Sequence, residues 1–191
     1  MAGGYGGVRD SGLSMLTIEG HAIVSADGMI ADGAGEYPAA LRNDADWALY
    51  QAALDRAAVV VVGRKGHERF PNPGRRRLVL TRGVERLAGD PKDKRATLWN
   101  PAGLPLREAL GEIGVSGGIV AITGVFDEFI GAYDRFGLSE SHRLVIPGGT
   151  PCFANGHPRV VLAKVGLRPK TVELIDAEAM VTTTVWAKGD V

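Results

Sequence analysis

Cysteine is almost absent from this chain: Cys152 is the only one among 191 residues. No disulfide can close within the chain, and no cysteine-based metal site can form. A reducing, cytoplasmic setting is the natural expectation. Net charge is absent too, since Lys plus Arg and Asp plus Glu both number 22. A general nucleic-acid surface draws on a basic excess, so no nucleic-acid partner is expected. No apolar run approaches the ~18 residues that span a bilayer, which argues against a membrane protein. His21, His67, His142 and His157 are dispersed, without the pair spacing of a metal site, and no metal is expected.

The length suits one domain of ordinary size with a sizeable core. Residues 1–14, "MAGGYGGVRDSGLS", carry no apolar stretch of a secretory signal. They are read as a disordered leader or tag, with a single domain over residues 15–191. Glycine is plentiful at 27 residues, which calls for many turns and close backbone approaches.

The first two thirds alternate strand and helix patterns. Strands are expected at Leu16 to Val24, Ala57 to Val62, Arg77 to Thr81, Ala96 to Trp99 and Gly118 to Thr123. Asn43 is placed to cap a helix running to about Arg56, with Asp44 and Asp46 in its first turn. Trp47, Tyr50 and Leu54 recur on one face of that helix. Further helices are expected over Pro105 to Ile113 and Val125 to Phe136. Residues 83–95 are charged and read as a solvated surface segment. The last third reads as strands, at His142 to Ile146, Arg159 to Leu167, Lys170 to Leu174 and Val181 to Trp186. The fold class is α/β: a mostly parallel central sheet, helices on both faces, and an antiparallel C-terminal edge hairpin.

One stretch, "VVVVGRKGHE" at Val59 to Glu68, joins a fully apolar strand to glycine and positive charge. Ligands of open α/β sheets bind outside the carboxyl ends of strands. Gly63 and Gly66 permit close backbone approach, Arg64 and Lys65 supply charge, and His67 is placed to line the pocket. A second strand end carries Thr81 and Arg82, a hydroxyl and a guanidinium. A third carries Thr123-Gly124, joined directly to the expected helix. Three such ends make a dinucleotide cradle, and the added cations suit a 2′-phosphate, hence NADPH. Gly114 to Gly118 fits Gly-x-Ser-x-Gly formally, but the helix comes before and the strand after, the wrong order for a nucleophile elbow.

These segments resemble the dihydrofolate reductase-like superfamily, which includes dihydrofolate reductase and the reductase domain of the bifunctional riboflavin-biosynthesis deaminase-reductase. "VSADGMIAD" is similar to its first strand and Ser-x-Asp-Gly-x-Ile-Ala turn, and "VVVVGRKGHE" to its Gly-Arg-x-Thr segment. "RLVLTR", "AITGVFDEF" and "VIPGGTPCF" follow in family order. Gly66 replaces the usual threonine, and Thr123 the first glycine of a Gly-Gly pair. The glutamate that precedes that pair in riboflavin-pathway enzymes is missing.

The resemblance implies a cofactor diphosphate resting on Thr123, Gly124, Val125 and Phe126. It implies a nicotinamide near Ala22, Ser25, Asp27 and Ile30. It implies a proton helper on the first helix, with Asp46 the best match and Asp44 next, and Glu36 facing a substrate. The implied activity is NADPH-dependent hydride transfer to a small heterocycle, pterin- or pyrimidine-like. A riboflavin-pathway 5-amino-6-(ribosylamino)pyrimidine phosphate reductase and a non-catalytic nucleotide-binding homologue remain as alternatives. Riboflavin-type relatives pair, so a homodimer is also implied.

Overall fold

The computed structural model describes residues 15–70 and 72–189; the expected leader at residues 1–14 lies outside them. In chain order the elements are β1 (Leu16–Ser25), β2 (Met29–Ala31), α1 (Asp44–Arg56), β3 (Ala57–Gly63), α2 (Arg64–Arg69), β4 (Arg77–Leu80), β5 (Leu87–Asp90) and β6 (Asp93–Trp99). Then come α3 (Leu106–Glu112), β7 (Gly118–Thr123), β8 (Arg135–Ser141), β9 (Thr150–Pro151), α4 (Pro158–Lys164), β10 (Leu167–Asp176) and β11 (Val181–Lys188). The main sheet is ordered β10-β11-β8-β1-β7-β3-β4-β6-β5, and β2 pairs separately with β9. The six strands from β8 to β6 are mutually parallel. β5 closes one edge antiparallel, and the β10–β11 hairpin closes the other. This is the mostly parallel α/β arrangement expected from the sequence, with its antiparallel C-terminal edge.

Strand β3 shows why the sheet must be covered on both faces. Val59, Val60, Val61 and Val62 are all 4% exposed or less. Val59 and Val61 point into the main core, where Ala109 and Leu110 of α3 meet them. Val60 points the other way, against Leu54 and Tyr50 of α1. Fully burying each such valine contributes on the order of 1.5 kcal/mol.

Helix α1 starts as expected, with Asn43 Oδ1 accepting the Asp46 amide at 3.0 Å. Its inward stripe is Asp46, Tyr50 and Leu54, one turn apart. Trp47 is instead 55% exposed.

Three expectations are corrected, and a fourth gains detail. The helix expected over Val125 to Phe136 is a short 3-10 turn, Phe126–Phe129, followed by a bend and then β8. Gly131, at φ +87, ends any helix there. Its aromatics at helical spacing are still buried, but from three backbone conformations. The strand expected over Arg159 to Leu167 is mostly α4. Pro158 sits at its first turn, and His157 Nδ1 accepts the Arg159 amide, so the β-branched run is helical. Residues 83–95 lie at the surface as expected, and there they form β5 and the start of β6, turned by Asp90 and Asp93 carboxylates that accept local amides. The segment expected as a strand over His142 to Ile146 is a turn, anchored by Ala26 N to Leu144 O at 2.7 Å.

Candidate functional site

The pairings Val62↔Val79, Gly63↔Leu80 and Val62↔Thr123 set the ends of β4, β3 and β7 level at one edge. Arg64, Arg82 and Gly124 therefore share that edge. A cleft of about 670 Å3 there is lined by Arg64, Leu80, Thr81, Arg82, Gly83 and Leu98. Arg64 meets only Glu68, at 3.7 Å, and its side chain is 61% exposed. Among the described residues Lys65 and Arg82 have no ion-pair partner, so both charges face solvent. The Gly83 amide donates to Thr81 Oγ1 at 3.1 Å, which leaves the hydroxyl proton free to donate outward. Leu80 and Leu98, which point to opposite faces of the sheet, add apolar surface to the lining.

The glycines show how closely the ends approach. A Cβ on Gly63 would stand 2.8 Å from Val125 Cγ1, so the ends of β3 and β7 touch. Gly124 has φ +70, with nothing within 4 Å of where a Cβ would be, so its backbone lies open at the edge. No extended helix follows it. The helix dipole expected beneath a diphosphate is therefore missing, and only the amides of the 3-10 turn are present. His67 has a different role from the one expected: its Nε2 lies 3.0 Å from Asp90 Oδ2, tying α2 to the β5–β6 hairpin. The Lys92 amide foremost, and His67 with it, outweigh partial burial and hold the Asp90 carboxyl below its ordinary range.

A polar cluster lies under α1, next to β7. Asp46 is 5% exposed, and its Oδ1 lies 3.3 Å from His21 Nε2 of β1. The His21 ring stacks at a tilt on Tyr50, centroids 5.5 Å apart. The Tyr50 hydroxyl faces the Thr123 side chain at the end of β7. Burial raises its pKa, the Thr123 bond and Arg75 oppose the rise, and Asp46 adds to it. Burial and the Asp46 charge push Tyr37 up to about 12, against a smaller opposing effect of Arg42. Thr123 is thus turned to the α1 face, and does not crowd the edge as its replacement of glycine suggests. His21, Tyr50 and Ser139 were missed from sequence. The available signal was in β1, where Ile18, Gly20, Ala22 and Val24 alternate with Thr17, Glu19 and His21.

The remaining expected residues fall into other roles. Asp27 is a pin: it accepts Ser25 Oγ at 2.5 Å and the Ile146 amide at 3.1 Å. Burial alone would raise its pKa, but these bonds, with His157 nearby, lower it. Ser25 is fully buried, also accepting the Met29 amide at 3.0 Å, so it builds the turn. Glu36 pairs with Arg69 at 2.6 Å in solvent, joining the Gly35 loop to α2. Ala22 and Phe126 are core side chains, so they can offer a ligand only their backbone. Ile30 is partly buried beside the same core. Asp44 is a first-turn residue of α1. Cys152 is 3% exposed, and burial pushes its thiol up, which fits packing.

No family model matches the sequence, and no curated protein matches it. Among solved structures the chain is similar to a Shewanella sp. PV-4 protein assigned to riboflavin biosynthesis. That match has a TM-score of 0.64 and 16% identity, over 91% of this chain and 99% of that one. It is similar to the diaminohydroxyphosphoribosylaminopyrimidine deaminase/5-amino-6-(5-phosphoribosylamino)uracil reductase of Thermotoga maritima, with TM-score 0.64 and 16% identity, over 92% of this chain but 57% of that one. It is similar to Enterococcus faecalis dihydrofolate reductase complexed with NADP(H) and RAB-propyl, with TM-score 0.61 and 17% identity, over 91% and 97%. These likenesses show a dihydrofolate reductase-like fold.

Proposed function

We propose that this protein is an NADPH-dependent reductase that delivers a hydride to a small pterin- or pyrimidine-like heterocycle. The observation that carries the reading is the level alignment of three parallel strand ends, which brings Arg64, Thr81, Arg82 and the open Gly124 to one edge. The residues fit the cofactor. Arg64, Lys65 and Arg82 would hold a 2′-phosphate, and the backbone at Gly124 to Phe126 a diphosphate. When bound, NADPH supplies the hydride. Asp46 would bind the heterocycle through Oδ2, while the sheet edge fixes the orientation of both reactants. The likeness to a dihydrofolate reductase complexed with NADP(H) supports this assignment.

Titration with NADPH, followed by quenching of Trp99 fluorescence, tests the reading; Trp99 is paired with Leu80 of the cleft lining. No binding at millimolar cofactor would overturn it. The Thermotoga likeness favours a second reading within the same chemistry, in which the substrate is the phosphorylated ribosylamino-pyrimidine of riboflavin synthesis. Turnover of that compound, set beside dihydrofolate, separates the two.

A further inference from the structure

A carboxylate has two coplanar oxygens. Free, it clamps a ligand edge that offers two parallel N–H donors, as an amidine does. Asp46 is not free in this way. His21 Nε2 occupies Oδ1 at 3.3 Å, and Oδ2 has no hydrogen-bond partner among the described residues. The position of the imidazole is built into the fold. On β8, Gly137 lies opposite His21, and a Cβ there would come 2.8 Å from the ring's Nδ1. The missing side chain of Gly137 is the space the ring fills, and Tyr50 flanks it. On the same face, two residues further along β8, Ser139 is wholly buried and its Oγ has no partner. A buried hydroxyl left unpaired is costly, and it marks a donor kept for something else.

We propose that His21 is the specificity-determining residue of the heterocycle site. By holding one oxygen of Asp46, it leaves a single acceptor at Oδ2, with the Ser139 hydroxyl as the neighbouring donor. The site then takes a ring edge with one N–H beside a carbonyl, and disfavours the two-donor amidine edge. This rests on the reductase reading above, because it needs a heterocycle beside the dinucleotide.

Calorimetric titration of the NADPH-loaded protein tests it with two probes. 1-Methyluracil carries one N–H between two carbonyls, and 2,4-diaminopyrimidine carries a two-donor edge. The parent should bind 1-methyluracil about tenfold or more tightly than the diamine, the scale of one hydrogen bond to a charged group. His21→Leu frees Oδ1 and should reverse the order. His21→Gln keeps a donor toward Oδ1 and should retain the parent order. Gly137→Ala displaces the ring while leaving both polar residues in place, and should shift the ratio as His21→Leu does, so the test survives if one variant fails to fold. A parent that prefers the diamine overturns the proposal. So does a ratio unmoved by His21→Leu or Gly137→Ala, or a parent that binds NADPH but neither probe at millimolar concentration. Failure of NADPH itself to bind would instead count against the reductase reading.

Discussion

Removing the two arginines of the cleft should abolish cofactor discrimination without unfolding the protein. The perturbation is Arg64→Ala with Arg82→Ala. Unit charges 4 Å apart interact by about 1 kcal/mol in water and about 4 kcal/mol at an effective dielectric of 20. Arg64 keeps 61% of its side chain in solvent, so the lower end applies, against a phosphate carrying more than one charge. Each arginine then contributes about 1–2 kcal/mol, and the pair about 2–4 kcal/mol. NADPH should bind roughly 30- to 1000-fold more weakly. NADH lacks the 2′-phosphate and should change by less than about threefold. Stability should hardly move, because the exposed Arg64–Glu68 pair is worth only about 0.5 kcal/mol. The assay is Trp99 quenching with both cofactors at two salt concentrations. The parent preference should shrink with salt as the Debye length falls from about 10 Å at 0.1 M to about 3 Å at 1 M. A double variant that keeps the parent's preference for NADPH would refute the assignment of the cleft.

Gly63→Ala should place a methyl group against Val125 and push the 124–126 turn off the edge. Overpacking of this kind costs about 1–3 kcal/mol, so a calorimetric melt should fall by several degrees and NADPH binding should weaken with it. Asp27→Asn tests the pin under Ile146. Its folded pKa is lowered, so its stabilisation is present above the unfolded value near 4 and is lost as pH falls through that range. The variant should melt below the parent at pH 7, with the gap closing below about pH 4; a constant gap from pH 7 to pH 3 would show that the charge is not what matters. Thr123→Gly restores the first glycine of the Gly-Gly pair but removes the side chain that faces the Tyr50 hydroxyl. It should cost about 1–3 kcal/mol of stability and leave NADPH affinity within about twofold, as read by denaturant melts and cofactor titration.

The parallel half of the fold was legible because its signals were local. Four valines in succession can be buried only between two covered faces, and Asn43 followed by two acids starts a helix in isolation or in context. The errors came where the same pattern serves two backbones. Phe126, Phe129, Tyr133 and Phe136 have helical spacing, yet the core that buries them accepts a 3-10 turn, a bend and a strand equally well. Val160 and Val161 favour strand by propensity, and Pro158 overrode them by presetting a helical first turn. The charged 83–95 segment concealed an edge hairpin, because an edge strand has one face in water and needs little apolar alternation.

The site was legible as charge and glycine at strand ends, since those residues act where they stand. The polar cluster under α1 was not, because it is made by register. His21 is one residue of β1, Gly137 its neighbour on β8, and Asp46 and Tyr50 lie above them on α1; only the parallel pairing brings the four together. The two departures from the family pattern then acquire reasons. A Cβ at Gly66 would press to 3.0 Å on Val62 Cγ2, so this short helix cannot take the usual threonine without moving the end of β3. Thr123 faces the α1 side at the end of β7, Tyr50 packs on the His21 ring, and His21 takes one oxygen of Asp46. The residue standing where the resemblance expects a glycine is thus turned away from the strand-end edge, and Gly124 supplies the open backbone there.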